Sequence, residues 1–139
     1  MKWKEYKYTG QFSQLKGGVI YRPMIDLKLI LGTNVYSCFA LIDSGTDSTL
    51  INAEFAEMLG IDESKCKRIK VSGVESLNAT GFGANIKFKI EGFEEEFTTE
   101  VVFVKNMVTA GLLGQKDIFE NFKIRFEKRN NKFYLAKEI

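Results

Sequence analysis

Histidine is absent from this 139-residue chain, and its absence excludes several kinds of chemistry at once. Without imidazole there is no Ser-His or Cys-His nucleophile pair, no histidine zinc ligand and no imidazole general base. The two cysteines, Cys38 and Cys66, are too few for a disulfide framework and lack the spacing of a zinc site. We therefore expect two reduced thiols, no metal, no cofactor, and chemistry carried by other groups.

Long apolar runs and a strong charge of one sign are also missing. The longest apolar stretches reach about six residues, whereas a membrane-spanning helix needs ~20. The N-terminus MKWKEYKYTG has no apolar signal region. The 20 basic and 18 acidic residues leave a net charge of +2, too small to favour nucleic-acid binding. The sequence thus predicts a cytoplasmic protein with neither nucleic acid nor membrane as a partner.

There is a single proline, and no Ser/Gly-rich linker or internal repeat, so one compact unit is expected. Over positions 24–31 the apolar residues Ile25, Leu27, Leu29 and Leu31 alternate with a mixed set, Met24, Asp26, Lys28 and Ile30, which predicts a strand with one dominant apolar face. Positions 35–42 become continuously apolar, as in a strand buried on both faces. Further strand patterns occur at 67–71, 86–90 and 97–104, and in a terminal hairpin about Asn130-Asn131.

Two short helices are expected between these strands. Asn52 can cap a helix over AEFAEML, and Gly60 can end it with Ile61 packing back on the last turn. A second amphipathic helical turn is predicted around Lys116–Phe122. The patterns therefore predict a mainly β fold with one or two short helices.

Asp43 ends the most apolar strand and begins the turn Asp43-Ser44-Gly45-Thr46. An ionised carboxylate is costly at the end of a buried strand unless donors and water reach it. The triplet alone is weak, because Asp, Ser and Gly also favour ordinary turns. Its setting is more specific, with apolar residues on both sides and an apolar pair before glycine later in the chain: Phe39-Ala40-Leu41-Ile42, Thr49-Leu50-Ile51 and Leu112-Leu113-Gly114.

These residues resemble the retropepsin-like aspartic proteases, the single-domain family that includes the retroviral proteases. The family's mark is two hydrophobic residues before D-[ST]-G-[AST], followed later by two hydrophobic residues before glycine. The resemblance runs from about Tyr21 to Leu135. It implies a closed-barrel-like acid-protease fold with one lobe per chain, active as a C2 homodimer. Residues 1–20 are then an N-terminal extension or strand, and residues 21–139 are the protease domain.

The resemblance implies that Asp43 is the catalytic carboxylate and that Ser44, Gly45 and Thr46 support its loop. Two carboxylates that share one proton can hydrolyse a peptide bond without a metal or a covalent nucleophile. No other aspartate in the chain is followed by [ST]-Gly, so a second chain must supply the second carboxylate. We expect an aspartic endopeptidase that acts on peptide or protein substrates as a homodimer.

The same resemblance implies a charge network at the substrate and dimer surface. Arg22, within Tyr21-Arg22-Pro23, is expected to pair with Asp47 of the partner subunit. Gln115 stands where retroviral members carry arginine, so this network is expected to be thinner here.

Two further groups of site residues follow from the resemblance. A glycine-containing flap hairpin over about 72–83 is expected to close over the substrate, with Ser72, Gly73, Val74 and Gly81 among its residues. An apolar floor is expected to carry the Asp43 loop, formed by Leu112, Leu113 and Gly114.

Other interpretations of the motifs fit less well or stay open. An aspartyl phosphotransferase and a calcium loop both need an acidic or ligand residue where Gly45 stands, and Gly81-Phe82-Gly83 lacks the third glycine of a dinucleotide fingerprint. A catalytically inactive peptide-binding or adaptor module stays open, because a fold does not determine its function. A purely structural role of Asp43, with an unrelated ligand site elsewhere, also stays open.

Overall fold

A computed structural model describes residues 2–13, 15, 17–74 and 77–137, with the side chains of 72–74 and 77–79 outside this description. The strands are β1 (Lys4–Lys7), β2 (Thr9–Ser13), β3 (Gly18–Arg22), β4 (Met24–Leu31), β5 (Asn34–Ile42), β6 (Leu50–Asn52), β7 (Lys67–Val74), β8 (Leu77–Ile90), β9 (Glu96–Val104), β10 (Gly111–Leu113), β11 (Phe122–Glu127) and β12 (Lys132–Lys137). The helical segments are α1 (Glu54–Leu59), an irregular helical turn (Gln115–Phe119) and two short 3₁₀ turns, Glu63–Lys65 and Lys128–Asn130.

Six strands close into a barrel in the order β4-β5-β10-β6-β9-β8, and β8 pairs back onto β4. The pairs β5–β10 and β6–β9 are parallel, whereas the other neighbours in the barrel are antiparallel. β7 pairs with the first half of β8 and extends the sheet beyond the barrel. The predicted mainly β, closed-barrel fold is therefore confirmed.

Strand β4 shows how the sequence pattern builds the core. Ile25, Leu27 and Leu29 are each 1% exposed and belong to the main hydrophobic core, whereas Lys28 between them is exposed. This period of two is that of a strand with one buried face, so the strand predicted over 24–31 is confirmed. A second, smaller apolar cluster lies against the loop that follows β5 and consists of Leu50, Val71, Val102, Val104, Met107 and Leu112.

The first predicted helix is confirmed and the second is only partly helical. Just before α1, the Asn52 side chain accepts a hydrogen bond from Glu54 N, and Gly60 ends the helix with φ +84°. The second segment winds once over Gln115–Phe119, but Lys116 and Asp117 leave helical geometry and Phe122 already begins β11. The helical turn predicted around Lys116–Phe122 is therefore confirmed in its place, and it is irregular because backbone bonds to the Asp43 loop hold its start open.

The N-terminal residues form two separate pieces. β1 pairs with β12 and completes a three-stranded sheet of order β1-β12-β11, while β2 and β3 pair as a two-stranded hairpin. The Tyr6 hydroxyl donates a hydrogen bond to the Glu91 carbonyl oxygen at 2.5 Å. Burial and the nearby charge of Glu91 raise the pKa of Tyr6 to about 12, so this phenol stays a donor at neutral pH. No helix in the described residues is long and apolar enough to cross a membrane.

The two thiols differ in accessibility, which gives a testable consequence. Cys38 on β5 is 0% exposed, and burial, followed by the charge of Asp26, raises its pKa to about 12. Cys66 is half-buried. At pH 8 we expect an alkylating reagent to label Cys66 at least ~100-fold faster than Cys38, which is protonated and enclosed. Mass spectrometry of native and denatured protein checks this, with Cys66→Ser as the control; fast labelling of both native thiols contradicts it.

Candidate active site

Asp43 lies where two parallel strands, β5 and β10, end side by side. Ile42, the last residue of β5, is paired with Leu113 of β10. The Asp43 amide then donates a hydrogen bond to the Leu113 carbonyl oxygen at 2.9 Å, and the Ile42 amide donates to the Pro23 carbonyl oxygen at 3.0 Å. The backbone of Asp43 is therefore fixed from both neighbouring strands before its side chain makes any contact.

Both carboxylate oxygens of Asp43 meet a donor from its own turn. The Gly45 amide lies 2.9 Å from Oδ1, and the Thr46 hydroxyl lies 3.2 Å from Oδ2. Thr46 is 5% exposed, whereas Asp43 is half-buried and Ser44 and Gly45 are exposed. One fixed donor on each oxygen sets the plane of the carboxylate and leaves it reachable from solvent.

The segment after β10 holds the Asp43 loop in place through hydrogen bonds to the loop backbone. The Gln115 amide donates to the Thr46 carbonyl oxygen at 2.7 Å, and the Lys116 amide donates to the Asp47 carbonyl oxygen at 2.9 Å. The Gln115 side chain adds a hydrogen bond from Nε2 to the Ser44 carbonyl oxygen at 2.7 Å. Thus Gln115 acts on the backbone of the loop rather than on the carboxylate of Asp47.

Gly114 allows the segment after β10 to approach the Asp43 loop closely enough for these hydrogen bonds. A Cβ built on Gly114 lies 2.2 Å from the Thr46 carbonyl oxygen and 2.6 Å from the Ser48 carbonyl oxygen. Its φ of −103° is open to any residue, so the requirement for glycine is one of close approach. Leu112 and Leu113 are 1% and 0% exposed. The three residues therefore form a tightly packed layer beneath the loop.

One buried polar pair near this loop was not predicted from the sequence. The Thr49 hydroxyl donates a hydrogen bond to Asp117 Oδ2 at 2.8 Å, with the two residues 1% and 6% exposed. Asn121 donates from Nδ2 to the Asp117 carbonyl oxygen at 2.5 Å, where the backbone has φ +78°. The available signal was an acidic residue between Gly114 and the apolar Ile118-Phe119. This pair joins the end of the Asp43 loop to the turn that follows β10.

The predicted flap region is a hairpin formed by β7 and β8. Ser72 pairs with Asn78 and Val74 pairs with Leu77, with a register shift between Ser72 and Val74. The side chains of Ser72, Gly73 and Val74 lie outside the described residues. Gly81 lies nearer the barrel, where an added Cβ comes within 2.7 Å of the Phe103 carbonyl oxygen. Gly81 therefore packs closely against β9, at the end of the hairpin that joins the barrel.

A cavity of about 240 Å³ separates the Asp43 loop from this hairpin. The loop residues 45–48 form one wall, and Ile69, Lys70 and Val71 of β7 form another. Leu50 and Val102 complete an apolar part of the lining. The cavity next to the Asp43 loop is therefore bounded by residues 45–48 of that loop on one side and by strand β7 on the other.

Arg22 and Asp47 are not brought together within one chain. Both residues are exposed, and neither side chain makes an ion pair with another of the described residues. Arg22 nevertheless lies beside the site, because the next residue, Pro23, bonds to Ile42 just before Asp43. Among the described residues, no hydrogen bond or ion pair links Asp43 to a second acidic side chain. The described residues also contain no group of three or more Cys, Asp or Glu side chains close enough together to hold a metal ion.

Comparisons with known proteins agree with this arrangement. An aspartyl protease family model matches residues 28–116, more than half of the chain. Curated protein sequences give no significant match. Among solved structures, a retropepsin-like aspartic protease from Rickettsia conorii has a TM-score of 0.62 at 14% identity, over 96% of this chain and 91% of that chain.

Two further solved structures share the fold. EIAV protease complexed with the inhibitor HBY-793 has a TM-score of 0.56 at 18% identity, over 71% of this chain and 86% of that chain. The retroviral protease-like domain of Ddi1 from Leishmania major has a TM-score of 0.53 at 13% identity, over 84% of this chain and 94% of that chain. This chain, with its closed barrel and its Asp-Ser-Gly turn, belongs to the aspartyl protease family and is retropepsin-like.

Proposed function

We propose that this protein is an aspartic endopeptidase whose catalytic pair consists of Asp43 from each of two identical subunits. Residues 21–139 supply the protease domain, and residues 1–20 extend it. The observation that carries the proposal is the half-buried Asp43 carboxylate, held by Gly45 N at 2.9 Å and Thr46 Oγ1 at 3.2 Å at the end of the barrel. A carboxylate with fixed orientation and open access suits proton transfer to and from a bound substrate.

The two Asp43 carboxylates share one proton, because two carboxylates in contact cannot both ionise cheaply. The ionised one accepts a proton from a water molecule, whose oxygen attacks the carbonyl carbon of the peptide. The protonated one donates its proton to the carbonyl oxygen, giving a tetrahedral diol. The carbon–nitrogen bond then breaks as the leaving nitrogen takes the proton of the pair and one hydroxyl of the diol returns its proton to the pair. This releases a carboxylic acid and an amine and regenerates the shared-proton state.

A two-fold axis near Asp43 supplies the second carboxylate, since residues close to such an axis meet their own copies. The exposed Ser44 can then bond across the axis to hold the two loops. Arg22 and Asp47, both exposed and without an ion-pair partner in the described part of one chain, can pair between subunits. A bidentate arginine–carboxylate pair adds orientation as well as attraction.

The β7–β8 hairpin serves as the flap over an extended peptide, with Ser72, Gly73 and Val74 near its turn and Gly81 at its root. The cavity of about 240 Å³ between residues 45–48 and β7 accepts a substrate side chain next to the scissile bond. Leu112, Leu113 and Gly114 support the loop that carries the chemistry.

Mixing wild-type chain with an inactive chain tests whether two subunits share one active site. The wild type is incubated with a diverse peptide pool from pH 3 to 8, and mass spectrometry measures cleavage with and without added Asp43→Asn chain. After subunit exchange, an equal amount of Asp43→Asn chain is expected to lower the rate to about half, because mixed dimers lack one carboxylate. An equal addition of wild-type chain is the control and raises the rate.

A rate that stays unchanged on addition of the Asp43→Asn chain, with exchange demonstrated by mass-labelled subunits, contradicts a shared site. Absence of cleavage at every pH by a folded, dimeric wild type contradicts the enzyme itself. In that case a peptide-binding module without catalysis is the better account of the same fold.

A further inference from the structure

The β2–β3 hairpin stands apart from both larger sheets. Thr9–Ser13 pairs with Gly18–Arg22, and in the described residues neither strand has a second neighbour. By contrast β12 has a partner on each side, β1 and β11, within its own chain. A two-stranded hairpin is marginally stable by itself in water, so this hairpin needs a surface that covers it.

The solvent-exposed face of the hairpin is apolar, whereas a face exposed to water is normally polar. Phe12 pairs with Val19 and Gly10 with Tyr21, so these four residues share one face. Phe12 is 75% exposed, Val19 58% and Tyr21 45%, whereas Gln11 on the opposite face is less exposed than Phe12. Of the ten large hydrophobic side chains exposed in the described residues, four lie between positions 9 and 22: Phe12, Leu15, Val19 and Tyr21.

Gly10 helps to make this face continuous. A Cβ on Gly10 lies 2.9 Å from Val19 Cγ1 and 3.2 Å from the Tyr21 ring, so both side chains extend over the glycine backbone. The face formed by Gly10, Phe12, Val19 and Tyr21, which we term the hairpin face, carries no charge. Exposed apolar patches of this kind mark interaction surfaces, and an uncharged one suits an apolar partner surface.

The base of the hairpin is fixed beside the Asp43 loop. Lys128 Nζ donates to the Tyr21 carbonyl oxygen at 3.1 Å and lies 5.2 Å from the centre of the Tyr8 ring. The next residue after β3, Pro23, accepts a hydrogen bond from the Ile42 amide, one residue before Asp43. The hairpin face therefore starts at the place where, on the proposed function, the two Asp43 loops must meet.

We infer that the β2–β3 hairpin is a dimerisation arm and that the occupant of the hairpin face is a second copy of this chain. The second copy is favoured because the face is continuous with the Asp43 end of the barrel, where the site is incomplete in one chain. The charges agree, because the exposed Arg22 at the end of β3 is opposite in charge to the exposed Asp47. This inference rests on the proposed function for the position of the two-fold axis.

Polar substitutions that keep strand propensity test the arm. In the double variant Phe12→Thr and Val19→Thr, analytical ultracentrifugation is expected to give a dimer dissociation constant raised at least ~100-fold, the size of losing a central apolar contact. Cleavage of peptides is expected to fall at low protein concentration and to recover at high concentration with kcat per dimer unchanged. The matched control is Val35→Thr, because Val35 is 53% exposed at the opposite end of β5 from Asp43.

An unchanged dissociation constant in the folded double variant overturns the arm, as does a monomeric wild type that binds lipid vesicles through the hairpin. A second measurement uses only the wild type, so it does not depend on the variant being folded. Hydrogen exchange of the β2 and β3 amides is expected to slow as protein concentration rises. Exchange that is independent of concentration contradicts the arm. A wild type that dimerises through the hairpin but cleaves nothing removes the proposed function and leaves the arm standing. If the double variant cleaves peptides and its activity depends on protein concentration as that of the wild type does, the arm is contradicted and the proposed function stands.

Discussion

Replacing Asp43 by asparagine is expected to lower the rate of peptide cleavage by about 10³-fold, the range associated with losing a positioned acid or base. The amide has the shape of the carboxylate, so its oxygen can still accept from Gly45 N and its nitrogen can donate to Thr46 Oγ1. The amide neither ionises nor carries the shared proton, so a pair of asparagines neither activates water nor protonates the carbonyl oxygen. The variant therefore removes the ionisable group of Asp43 while keeping the shape and the hydrogen bonds of its side chain.

The measurement is cleavage of the peptide pool from pH 3 to 8, beside circular dichroism and sedimentation to show that the variant is folded and dimeric. Asp26→Asn is the matched control, because it makes the same chemical change on a half-buried aspartate of the neighbouring strand β4. The control is expected to cleave at close to the wild-type rate. Wild-type activity in a folded Asp43→Asn protein would remove Asp43 from the mechanism and point to an unrelated site.

Local patterns predicted the strands and the turn that carry the site. Alternation over 24–31 and the apolar run over 35–42 are properties of neighbouring residues, so they are visible without the fold. The contact of Gly45 N with Asp43 Oδ1 is equally local, since it spans two residues. A D-S-G turn at the end of a buried strand can therefore be recognised, and its geometry inferred, before any tertiary contact is known.

The contacts that hold the turn in place could not be predicted in the same way. Gln115 Nε2 reaches the Ser44 carbonyl oxygen across 71 positions of sequence, and Thr49 reaches Asp117 across 68. Such pairs depend on how β10 threads between β5 and β6, which no local periodicity encodes. Nor could the sequence predict that the helical turn is irregular at Lys116 and Asp117, since tertiary hydrogen bonds to the Asp43 loop outweigh local helix propensity there.

Gly114→Ala is expected to lower the free energy of unfolding by about 3 kcal/mol, the upper part of the range for overpacking a closely packed site. The reason is steric, since the new methyl group meets the carbonyl oxygens of Thr46 at 2.2 Å and of Ser48 at 2.6 Å. Both are backbone atoms of the Asp43 loop, and the 2.7 Å bond from Gln115 N to the Thr46 carbonyl oxygen prevents an easy retreat. In the fraction that stays folded, a displacement of the loop by about 1 Å is expected to cost ~10²-fold in cleavage rate.

Urea unfolding, and cleavage assayed well below the unfolding midpoint, measure the two effects separately. Gly111→Ala, three residues earlier at the start of β10, is the matched comparison: its added Cβ lies 3.1 Å from Ile51 Cδ1 and 3.2 Å from Cys38 Sγ, which are side-chain ends able to move. Its loss of stability is therefore expected to be the smaller of the two. Equal losses would mean that the Asp43 loop yields as readily as a side chain. The close approach of Gly114 would then not be what fixes the carboxylate, and its position would depend on the turn from Asp43 to Thr46 alone.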